Sequence, residues 1–285
     1  MLQKIMTNIV LMSGSGKRFT ETGFILPKPL IPVSGRPMFY LAIDQLPESD
    51  KWIFVVRKSH VEQFNIDKII KAKKPNASVI IEDMPVGQAS SCMEAVKTLP
   101  LDEDFLVAAC DNSFLYSMEN LDNAIKSDAD MIVWSFSKDD LLVKNPYAWG
   151  WIKLECDNIT INGMSVKVPL NDPSTDHAVV GNFYFKSVTN FIKAYDLMVK
   201  KEYKINGEYY LDSLPIFYKE LNMRSIIFDM DLYVGWGKPA DLFEYQLNDY
   251  FYCNDINLGC FIGNKKEKWL KYFNTIYENY NSSCK

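Results

Sequence analysis

The chain has 285 residues, 48% hydrophobic and 24% charged, and its 31 Lys and Arg against 36 Asp and Glu give a net charge of -5. This composition excludes disordered, collagen-like and low-complexity proteins, and the acidic balance argues against a nucleic-acid partner. No apolar run approaches the roughly 18 residues of a membrane span, and the first apolar stretch is too short for a signal peptide. We therefore expect a soluble globular protein without a membrane partner.

Alternating strands and helices are predicted along the first half of the chain. Continuous apolar runs predict buried strands at 8–12 and 52–56, and further strands are predicted at 78–81, 105–110 and 130–136. Helices are predicted at 37–46, 59–73, 88–98 and 118–126, and the Gly- and Pro-bearing segment 13–32 is predicted to be an ordered loop. This alternation is typical of an α/β fold with a doubly wound, mainly parallel sheet.

The pattern changes after residue 144, where shorter strands and turn residues take over. Strands are predicted at 150–154, 159–161, 166–168, 179–185, 225–228 and 231–234, and helices at 188–200, 212–222 and 239–250. The tail is expected to form one or two helices packed on the body. We interpret 1–144 as a core, 145–250 as a lobe completing the same domain, and 251–285 as a helical C-terminal extension.

The cysteines and histidines limit the chemistry that the chain can perform. The two histidines, His60 and His177, are too few for a histidine-rich zinc site, so we expect Lys, Arg and Asp to carry the function. No CxxC pair or regular spacing occurs, so a disulfide framework is not expected and the cytoplasm is the predicted compartment. The six cysteines are Cys92, Cys110, Cys156, Cys253, Cys260 and Cys284.

A glycine-rich segment follows the first predicted strand. Gly14 and Gly16 precede Arg18, and a Pro-Lys-Pro-Leu segment places Lys28 ten residues later. Glycines at the carboxyl end of a strand let backbone N–H groups approach a polyphosphate, and open α/β sheets bind ligands at that edge. A Walker A loop is excluded because Arg follows Lys17, and a dinucleotide fingerprint because the glycines lead into a proline-bearing loop.

This signature, from Ser13 to Met38, closely resembles that of the sugar-phosphate nucleotidyltransferases, also called NDP-sugar pyrophosphorylases. Further segments match the family in order over residues 7–245: 87–89 (GQA), 110–112 (CDN), 176–185 (DHAVVGNFYF), 206–212 (NGEYYLD) and 235–242 (GWGKPADL). The resemblance implies a Rossmann-like mixed, mainly parallel sheet between helices with an inserted substrate lobe, similar to the GT-A glycosyltransferases.

The reaction that the resemblance implies is attack of a phosphate monoester on the α-phosphate of an NTP, with release of pyrophosphate. It would supply precursors of surface polysaccharides. Arg18 is expected to hold the leaving phosphates, Lys28 to reach the α-phosphate or the incoming phosphate, and Asp111 to bind Mg²⁺. The alternatives are a solvated Lys28 between two prolines and an Asp111 that starts a turn.

The resemblance also assigns binding residues along the chain. Nucleotide binding is expected from Met12, Ser13, Gly14, Ser15, Gly16, Glu82, Gly87 and Gln88. Acceptor binding is expected from Asn112, Lys167, Asp176, Gly181, Asn182 and Glu208. The acceptor could be a hexose, heptose, polyol, phosphocholine-like or amino-acid phosphate, and a homo-oligomer is left open.

Two positions depart from the family pattern. Where the family supplies a second metal carboxylate this chain has Gly235, and we expect Asp231 to replace it, with Asp229 as the alternative. Lys167 lacks the family's glutamate partner, which Asp172 or Asp176 could replace. These departures keep two rival hypotheses open: a GT-A-like glycosyltransferase that uses an NDP-sugar, and a non-catalytic nucleotide-binding regulator.

The nucleotide base is predicted from one side chain. Glu82 ends the third predicted strand, five residues before Gly87, where thymidylyltransferases of this family place a base-contacting side chain. A carboxylate accepts hydrogen bonds only, so it suits the amino group of cytosine or the N1/N2 edge of guanine. We therefore favour CTP, the alternative being a solvated Glu82 with the base bound by backbone groups.

Overall fold

The computed structural model describes residues 6–255 and 265–283. Its strands, in chain order, are β1 (Thr7–Met12), β2 (Pro32–Val33), β3 (Arg36–Pro37), β4 (Trp52–Arg57), β5 (Ser78–Glu82), β6 (Phe105–Ala109), β7 (Asn112–Leu115), β8 (Met131–Phe136), β9 (Gly150–Leu154), β10 (Ile161–Val166), β11 (His177–Phe185), β12 (Ser225–Asp229) and β13 (Leu232–Gly235).

Its helices, in chain order, are α1 (Lys17–Thr20), α2 (Met38–Asp44), α3 (Lys58–Phe64), α4 (Ile66–Lys73), α5 (Gln88–Val96), α6 (Met118–Ile125), α7 (Asp140–Lys144), α8 (Val188–Lys200), α9 (Leu214–Glu220), α10 (Pro239–Cys253) and α11 (Lys266–Ser283). None of these helices is long and apolar enough to cross a lipid bilayer, within the residues that the structure describes.

The chain folds into two compact units. The described part of the first unit comprises 6–14, 48–109 and 117–229, and that of the second comprises 15–47, 110–116, 230–255 and 265–283. These units do not test the division predicted from the sequence at residues 144 and 250, which stays a prediction.

The first unit is built on a nine-stranded sheet. Strands β5, β4, β1 and β6 are parallel neighbours, in that order. Strand β11 runs antiparallel to β6, β9 and β8, and β12 is parallel to β8, so β6, β8 and β12 all point the same way. The predicted α/β class with a mixed, mainly parallel sheet is therefore confirmed. Strands β1, β4 and β6 are almost fully buried because apolar residues occupy both of their faces, whereas β5, at the edge of the sheet, is partly exposed.

The second unit packs around an aromatic core. Strands β7 and β13 form an antiparallel ribbon, and β2 and β3 form a small hairpin. Helix α11 contributes Tyr272, Phe273 and Ile276 to the buried cluster that also contains Trp236 and Tyr245. The tail thus carries a helix packed on its own unit, whereas residues 256–264 and 284–285 lie outside the described residues.

Several element boundaries differ from the sequence-based expectation. The helix predicted at 59–73 is two helices, because Asn65 adopts a left-handed conformation (φ 50°) that ends α3. The two short strands predicted at 159–161 and 166–168 are one strand, β10, which pairs with β9. The loop predicted at 13–32 contains α1 and a 3-10 turn at Lys28–Leu30, and β7 and α7 were not predicted.

The aromatic packing in the first unit gives a stability prediction. Phe185 is fully buried and lies 4.9 Å from Phe105 and 5.0 Å from Phe191 between ring centroids. We expect Phe185→Ala to lower the free energy of unfolding by about 3–5 kcal/mol, because it leaves a cavity among rings that cannot collapse. Phe243→Ala, at a 63% exposed ring, should change it by less than about 0.5 kcal/mol in the same urea titration. Equal losses would contradict this packing.

Candidate active site

Three neighbouring parallel strands bring polar residues to one edge of the sheet in the first unit. Ser13 follows β1, Arg57 ends β4, and Glu82 ends β5 opposite Arg57 in the strand register. The Arg57 Nε donates a hydrogen bond to the Ser13 carbonyl oxygen at 2.9 Å. Since open α/β sheets bind ligands at the carboxyl ends of their strands, this clamp fixes the glycine-rich segment where it leaves β1.

Glu82 is held by a hydroxyl group from α5. The Ser91 hydroxyl donates to Glu82 Oε2 at 2.7 Å and lies 3.2 Å from the Ser13 hydroxyl. Ser13 and Ser91 are buried, whereas Glu82 is half-buried. The other Glu82 oxygen has no hydrogen-bond partner among the described residues. The structure therefore joins two of the predicted nucleotide-binding residues, Ser13 and Glu82, through a serine that the sequence analysis did not single out.

The turn before α5 requires glycine at position 87. Gly87 has φ 120°, and a Cβ there would lie 2.6 Å from the Tyr209 carbonyl oxygen and 2.7 Å from the Tyr209 nitrogen. The Ala89 N–H donates to that carbonyl, and the Tyr209 N–H donates to Val86. The Gly87–Gln88 turn is consequently bonded to the segment that carries Glu208, another predicted site residue.

Glu208 follows a tight two-residue turn. Ile205 and Glu208 exchange both backbone hydrogen bonds, and Asn206 and Gly207 between them have positive φ angles of 52° and 83°. Asn-Gly is the pair that such hairpin turns favour, because both residues tolerate this conformation. The turn leaves Glu208 exposed at its end.

Lys167 and Asp212 form a second polar group in the first unit. Lys167 has φ 66° and donates its ammonium to the Ala148 carbonyl oxygen at 3.1 Å. Burial raises the pKa of the Asp212 carboxyl to about 6, against the charge of Lys167, which lowers it. The Asp212 carboxylate covers Gly150 so closely that a Cβ at Gly150 would overlap it. Gly150 is therefore required for this carboxylate to lie against the start of β9.

In the second unit, Gly16 packs against the segment that carries Lys28. Gly16 has φ 63°, and a Cβ there would lie 3.2 Å from the Lys28 Cβ. The conformation suits glycine, and the contact leaves no room for a larger side chain. Lys28 itself begins a 3-10 turn between two prolines, so its backbone is fixed on both sides. The two sequence signals, GxGxR and PKPL, thus meet in space.

Lys28 forms an ion pair with Asp111. Its ammonium donates to Asp111 Oδ2, and both side chains are about three-quarters buried, at 21% and 24% exposure. Burial alone would lower the pKa of Lys28, but the Asp111 carboxylate outweighs burial, and the pKa is raised above its usual value. Lys28 is therefore a protonated cation in the folded protein at neutral pH, and one carboxylate oxygen of Asp111 is already engaged.

A second carboxylate, Asp241, lies within electrostatic range of this pair. Burial raises the pKa of Asp241, Lys238 opposes the shift, and the Asp111 carboxylate adds to it. Arg18 also acts on the Asp241 pKa, by lowering it. The second unit therefore collects three cations, Arg18, Lys28 and Lys238, around the carboxylates of Asp111 and Asp241.

Gly235, where the sequence resemblance led us to look for a second metal carboxylate, is covered by a tyrosine side chain. Gly235 pairs with Asn112, which places it next to Asp111 in the ribbon. A Cβ at Gly235 would lie 2.6 Å from the Tyr233 hydroxyl oxygen, so the phenol occupies this space. Across from it, Gly237 lets the backbone approach Asp111: a Cβ there would lie 3.1 Å from Asp111 Oδ2.

The structure does not bring Asp231, the predicted second metal ligand, to Asp111. The Asp231 N–H donates to the Leu115 carbonyl at the far end of the β7–β13 ribbon, four residues or about 13 Å from Gly235. Its side chain is exposed, and its carbonyl accepts a hydrogen bond from Lys268. One ion cannot contact both carboxylates across this separation. Among the described residues, no group of three or more His, Cys, Asp or Glu side chains is arranged to hold a metal.

Three of the predicted acceptor-binding residues, Asp176, Gly181 and Asn182, lie in or just before strand β11. One Asp176 oxygen accepts the backbone N–H groups of Asn171 and Asp172, at 2.9 Å each, and so organises its own loop. Gly181 has φ 103° within the irregular part of β11. Asn182 is 1% exposed, and neither polar atom of its amide has a hydrogen-bond partner in the described chain.

Some residues of this arrangement had no sequence signal. Arg57 bonds to Ser13, 44 positions away, and Ser91 contacts Ser13, 78 positions away, and Glu82, 9 positions away. No motif in the sequence marks these contacts. Asp212 and Asp241 stood inside motifs already recognised, yet their roles depend on burial that a sequence does not show.

The Gly87 contact gives a prediction for this region. Gly87→Ala should lower the free energy of unfolding by about 2 kcal/mol or more, since the Cβ would overlap the Tyr209 backbone and the φ angle is strained for alanine. Gly163→Ala, with no atom within 4 Å of the added Cβ, is the matched control and should be nearly neutral. Urea unfolding of both variants measures the difference, and a neutral Gly87→Ala would refute the close packing.

Comparison with known proteins finds similar sequences and solved structures. The bifunctional protein GlmU of Methanocaldococcus jannaschii is 23% identical over 242 residues, covering 84% of this chain and 53% of that protein. The chain thus spans about half the length of that curated relative. Two solved structures share the fold: the inositol-1-phosphate CTP transferase from T. maritima (TM-score 0.68, 17% identity, 86% of this chain and 95% of that one) and a putative glucose-1-phosphate thymidylyltransferase from Bacillus anthracis (0.68, 18%, 88% and 96%).

These structural neighbours confirm the nucleotide-diphospho-sugar transferase fold, at identities that show the fold alone. The profile of the family described as "Nucleotidyl transferase" matches residues 7–246, which is most of the chain. The resemblance found in the sequence is therefore confirmed, and the protein belongs to the nucleotidyl transferase family.

Proposed function

We propose that this chain is an enzyme that transfers a nucleoside monophosphate from an NTP to the phosphate of a sugar phosphate or a similar phosphorylated small molecule. The observation that carries the proposal is the Lys28–Asp111 pair, packed on Gly16 in the same unit as Arg18. It combines the positive charge, the carboxylate and the glycine backbone that phosphoryl chemistry uses. We further propose that the reaction takes place in the cytoplasm and supplies surface-polysaccharide precursors.

The reaction balances without a covalent enzyme intermediate. An oxygen of the acceptor phosphate forms a bond to the α-phosphorus of the NTP, the bond from that phosphorus to the β-phosphate bridging oxygen breaks, and pyrophosphate leaves with the electron pair. The nucleophile is an ionised phosphate, whose second pKa is about 6, so no general base is required at neutral pH. Positioning and charge neutralisation must then supply the acceleration.

Arg18 and Lys28 are the proposed catalytic residues. Arg18 offers a planar fork of donors suited to two phosphate oxygens of the leaving group. Lys28 is a point charge on a fixed backbone, and its raised pKa keeps it protonated throughout the reaction. We propose that the Lys28 ammonium contacts the α-phosphate, where negative charge redistributes during the transfer. A preformed cation stabilises that charge without reorganisation.

The charged groups around Asp111 fit a magnesium ion that arrives with the nucleotide. Mg²⁺ in such enzymes takes one or two carboxylates and completes its shell with substrate phosphates and water. Asp111, with Asp241 in place of Asp231, would supply the carboxylates, since Asp241 lies close enough to Asp111 for the Asp111 charge to raise the Asp241 pKa. When bound, the ion would neutralise phosphate charge. Gly235 itself offers no third carboxylate, and the Tyr233 phenol fills the space that a side chain at this position would occupy.

Base recognition is assigned to the first unit, with CTP favoured. Ser91 orients Glu82 by occupying one of its oxygens, which leaves an acceptor-only group for an amino function of the base. Solved structures with this fold carry names that refer to different nucleotides, so the fold does not decide the base. Acceptor binding is assigned to Lys167 and Asp212, with Glu208 at the adjoining turn.

Pyrophosphate release, followed with each of the four NTPs against a panel of phosphate esters, tests this proposal. We expect Mg²⁺-dependent release with at least one pair and a nucleotide–diphosphate product of matching mass. An NDP-sugar donor that is consumed without pyrophosphate would instead favour the glycosyltransferase hypothesis. NTP binding without turnover on any ester would favour the regulator hypothesis and refute ours.

Removing either member of the ion pair should impair turnover. Lys28→Ala and Asp111→Asn are each expected to lower kcat by roughly 10²–10³-fold, the loss typical of a preorganised electrostatic group. Lys17→Ala, at a 78% exposed lysine next to Arg18, is the matched control and should retain near-normal kcat. Circular dichroism should remain native. Near-normal turnover of Lys28→Ala would mean that the chemistry lies elsewhere.

Base preference should depend on Glu82. Wild-type kcat/KM is expected to be one or two decades higher for CTP than for UTP, because a hydrogen bond to a charged group contributes about 1.5–3 kcal/mol and uracil presents an acceptor instead. Glu82→Gln should reduce the difference, since an amide presents either a donor or an acceptor. Unchanged selectivity in Glu82→Gln would assign base recognition to backbone groups, and a wild-type preference for UTP would exclude CTP.

A further inference from the structure

A histidine, a carboxylate and a serine meet on the sheet of the first unit. His177 Nδ1 lies 2.9 Å from Asp229 Oδ1, and the Ser135 hydroxyl donates to the same oxygen at 2.5 Å. Ser135 is fully buried, whereas the His177 and Asp229 side chains are 21% and 43% exposed. The cluster is therefore anchored in the protein on one side and open to solvent on the other.

The cluster lies at the edge of the sheet where ligands are expected. Asp229 ends β12, Ser135 is the register partner of Asp229 near the end of β8, and His177 begins the antiparallel strand β11. These are the carboxyl ends of the parallel strands, the same edge at which Ser13 and Glu82 follow β1 and β5.

Strand register relates His177 to the Lys167–Asp212 group. His177 pairs with Ile152, and Val179 contacts the point where Asp212 covers Gly150. Paired residues and residues two apart in a strand share one face, so the imidazole lies on the face covered by Asp212, about 7 Å along β11. A molecule of the size of a sugar phosphate could contact both groups.

The hydrogen bonds determine what the cluster offers to a ligand. A carboxylate only accepts, so the proton lies on His177 Nδ1 and Nε2 carries a lone pair when the ring is neutral. The Ser135 hydroxyl is directed at Asp229 and not at the imidazole, so this is not a Ser–His–Asp nucleophile. Nor is a general base needed when the nucleophile is an ionised phosphate. The cluster presents acceptors: His177 Nε2 and the second Asp229 oxygen.

We propose that His177 and Asp229 form a subsite that binds a hydroxyl group of the acceptor, with Ser135 positioning Asp229. The inference rests on the proposed function and narrows its substrate class to polyhydroxylated phosphates, such as hexose, heptose or polyol phosphates. Phosphate esters without hydroxyl groups, phosphocholine for example, lack the donor that this subsite accepts.

Ring NMR tests the subsite directly, because the chain has only two histidines. In protein labelled with ¹⁵N-histidine, we expect His177 to show the Nδ1–H tautomer. Its Nε2 resonance should shift on addition of glucose 1-phosphate or inositol 1-phosphate, and not with phosphocholine or inorganic phosphate. His60 is the internal reference: it is buried, and burial lowers its pKa to about 4, so it stays neutral and unchanged.

Kinetics provide the second measurement. His177→Ala should raise KM for the hydroxylated acceptor about fivefold to tenfold, the effect of one hydrogen bond, while KM for the NTP stays within twofold. His177→Asn, whose amide can keep the bond to Asp229, should recover part of the loss. Glu220→Gln, an exposed carboxylate on α9, is the control and should behave as wild type.

The outcomes separate this inference from the proposed function. No Nε2 shift with either hydroxylated phosphate, or an equal shift with phosphocholine, overturns the subsite even if pyrophosphate is released. Absence of pyrophosphate release with every pair refutes the proposed function, whereas a selective Nε2 shift in the same protein would still support the subsite. A His177→Ala variant with lower thermal stability and unchanged acceptor KM would make the cluster purely structural and overturn the proposal.

Discussion

The ion pair between Lys28 and Asp111 is the interaction on which the second unit's chemistry depends. Two charges that are about three-quarters buried lose much of their hydration, and only their mutual attraction and hydrogen bond compensate for that loss. Removing either partner would leave the other buried without a counter-charge. The pair therefore joins the Pro-Lys-Pro-Leu segment to the turn between β6 and β7 and keeps Lys28 charged. In the proposed reaction, an incoming polyanion would meet a cation whose position and protonation are already fixed.

The sheet of the first unit imposes a complementary constraint. Parallel strands must end at a common edge, so residues distant in sequence become neighbours there without any local signal. Ser13, Arg57 and Glu82 are joined in this way, and Ser135, His177 and Asp229 repeat the arrangement on other strands of the sheet. In both groups a buried hydroxyl holds a carboxylate whose other oxygen is left for a ligand. The proposed function therefore assigns recognition to acceptor-only groups with fixed orientation.

Apolar runs and the glycine signature predicted most of the first half of the chain. Strands β1, β4, β5, β6 and β8 coincide with short apolar runs in the sequence. Their bounds were therefore predicted to within a residue or two. The sequence named Gly16 and Lys28 through two separate motifs, but their contact is seen only in the structure. Boundaries failed where a single backbone conformation decided them, as at Asn65, whose left-handed φ divides a helix that is continuous by hydrophobic pattern.

Site residues could be predicted where they belong to a recognisable motif. They could not be predicted where strand register or burial determines their role. Asp231 was chosen as a metal ligand from its place near Gly235 in sequence, but it lies about 13 Å from Gly235 along β13, at the end of the ribbon away from Asp111. Asp241 and Tyr233 take their significance from proximity to Asp111 and Gly235, which only the fold establishes. His177 was given no role from the sequence, because the other members of its cluster, Ser135 and Asp229, lie on strands 42 and 52 positions away.

Nucleotidyl transfer can be tested by following the α-phosphorus of the NTP. With [α-³²P]CTP and a hydroxylated phosphate monoester, we expect the label to appear in a diphosphate-linked product and the pyrophosphate released to be unlabelled. Label that remains in CTP, or appears only in CMP, would contradict it.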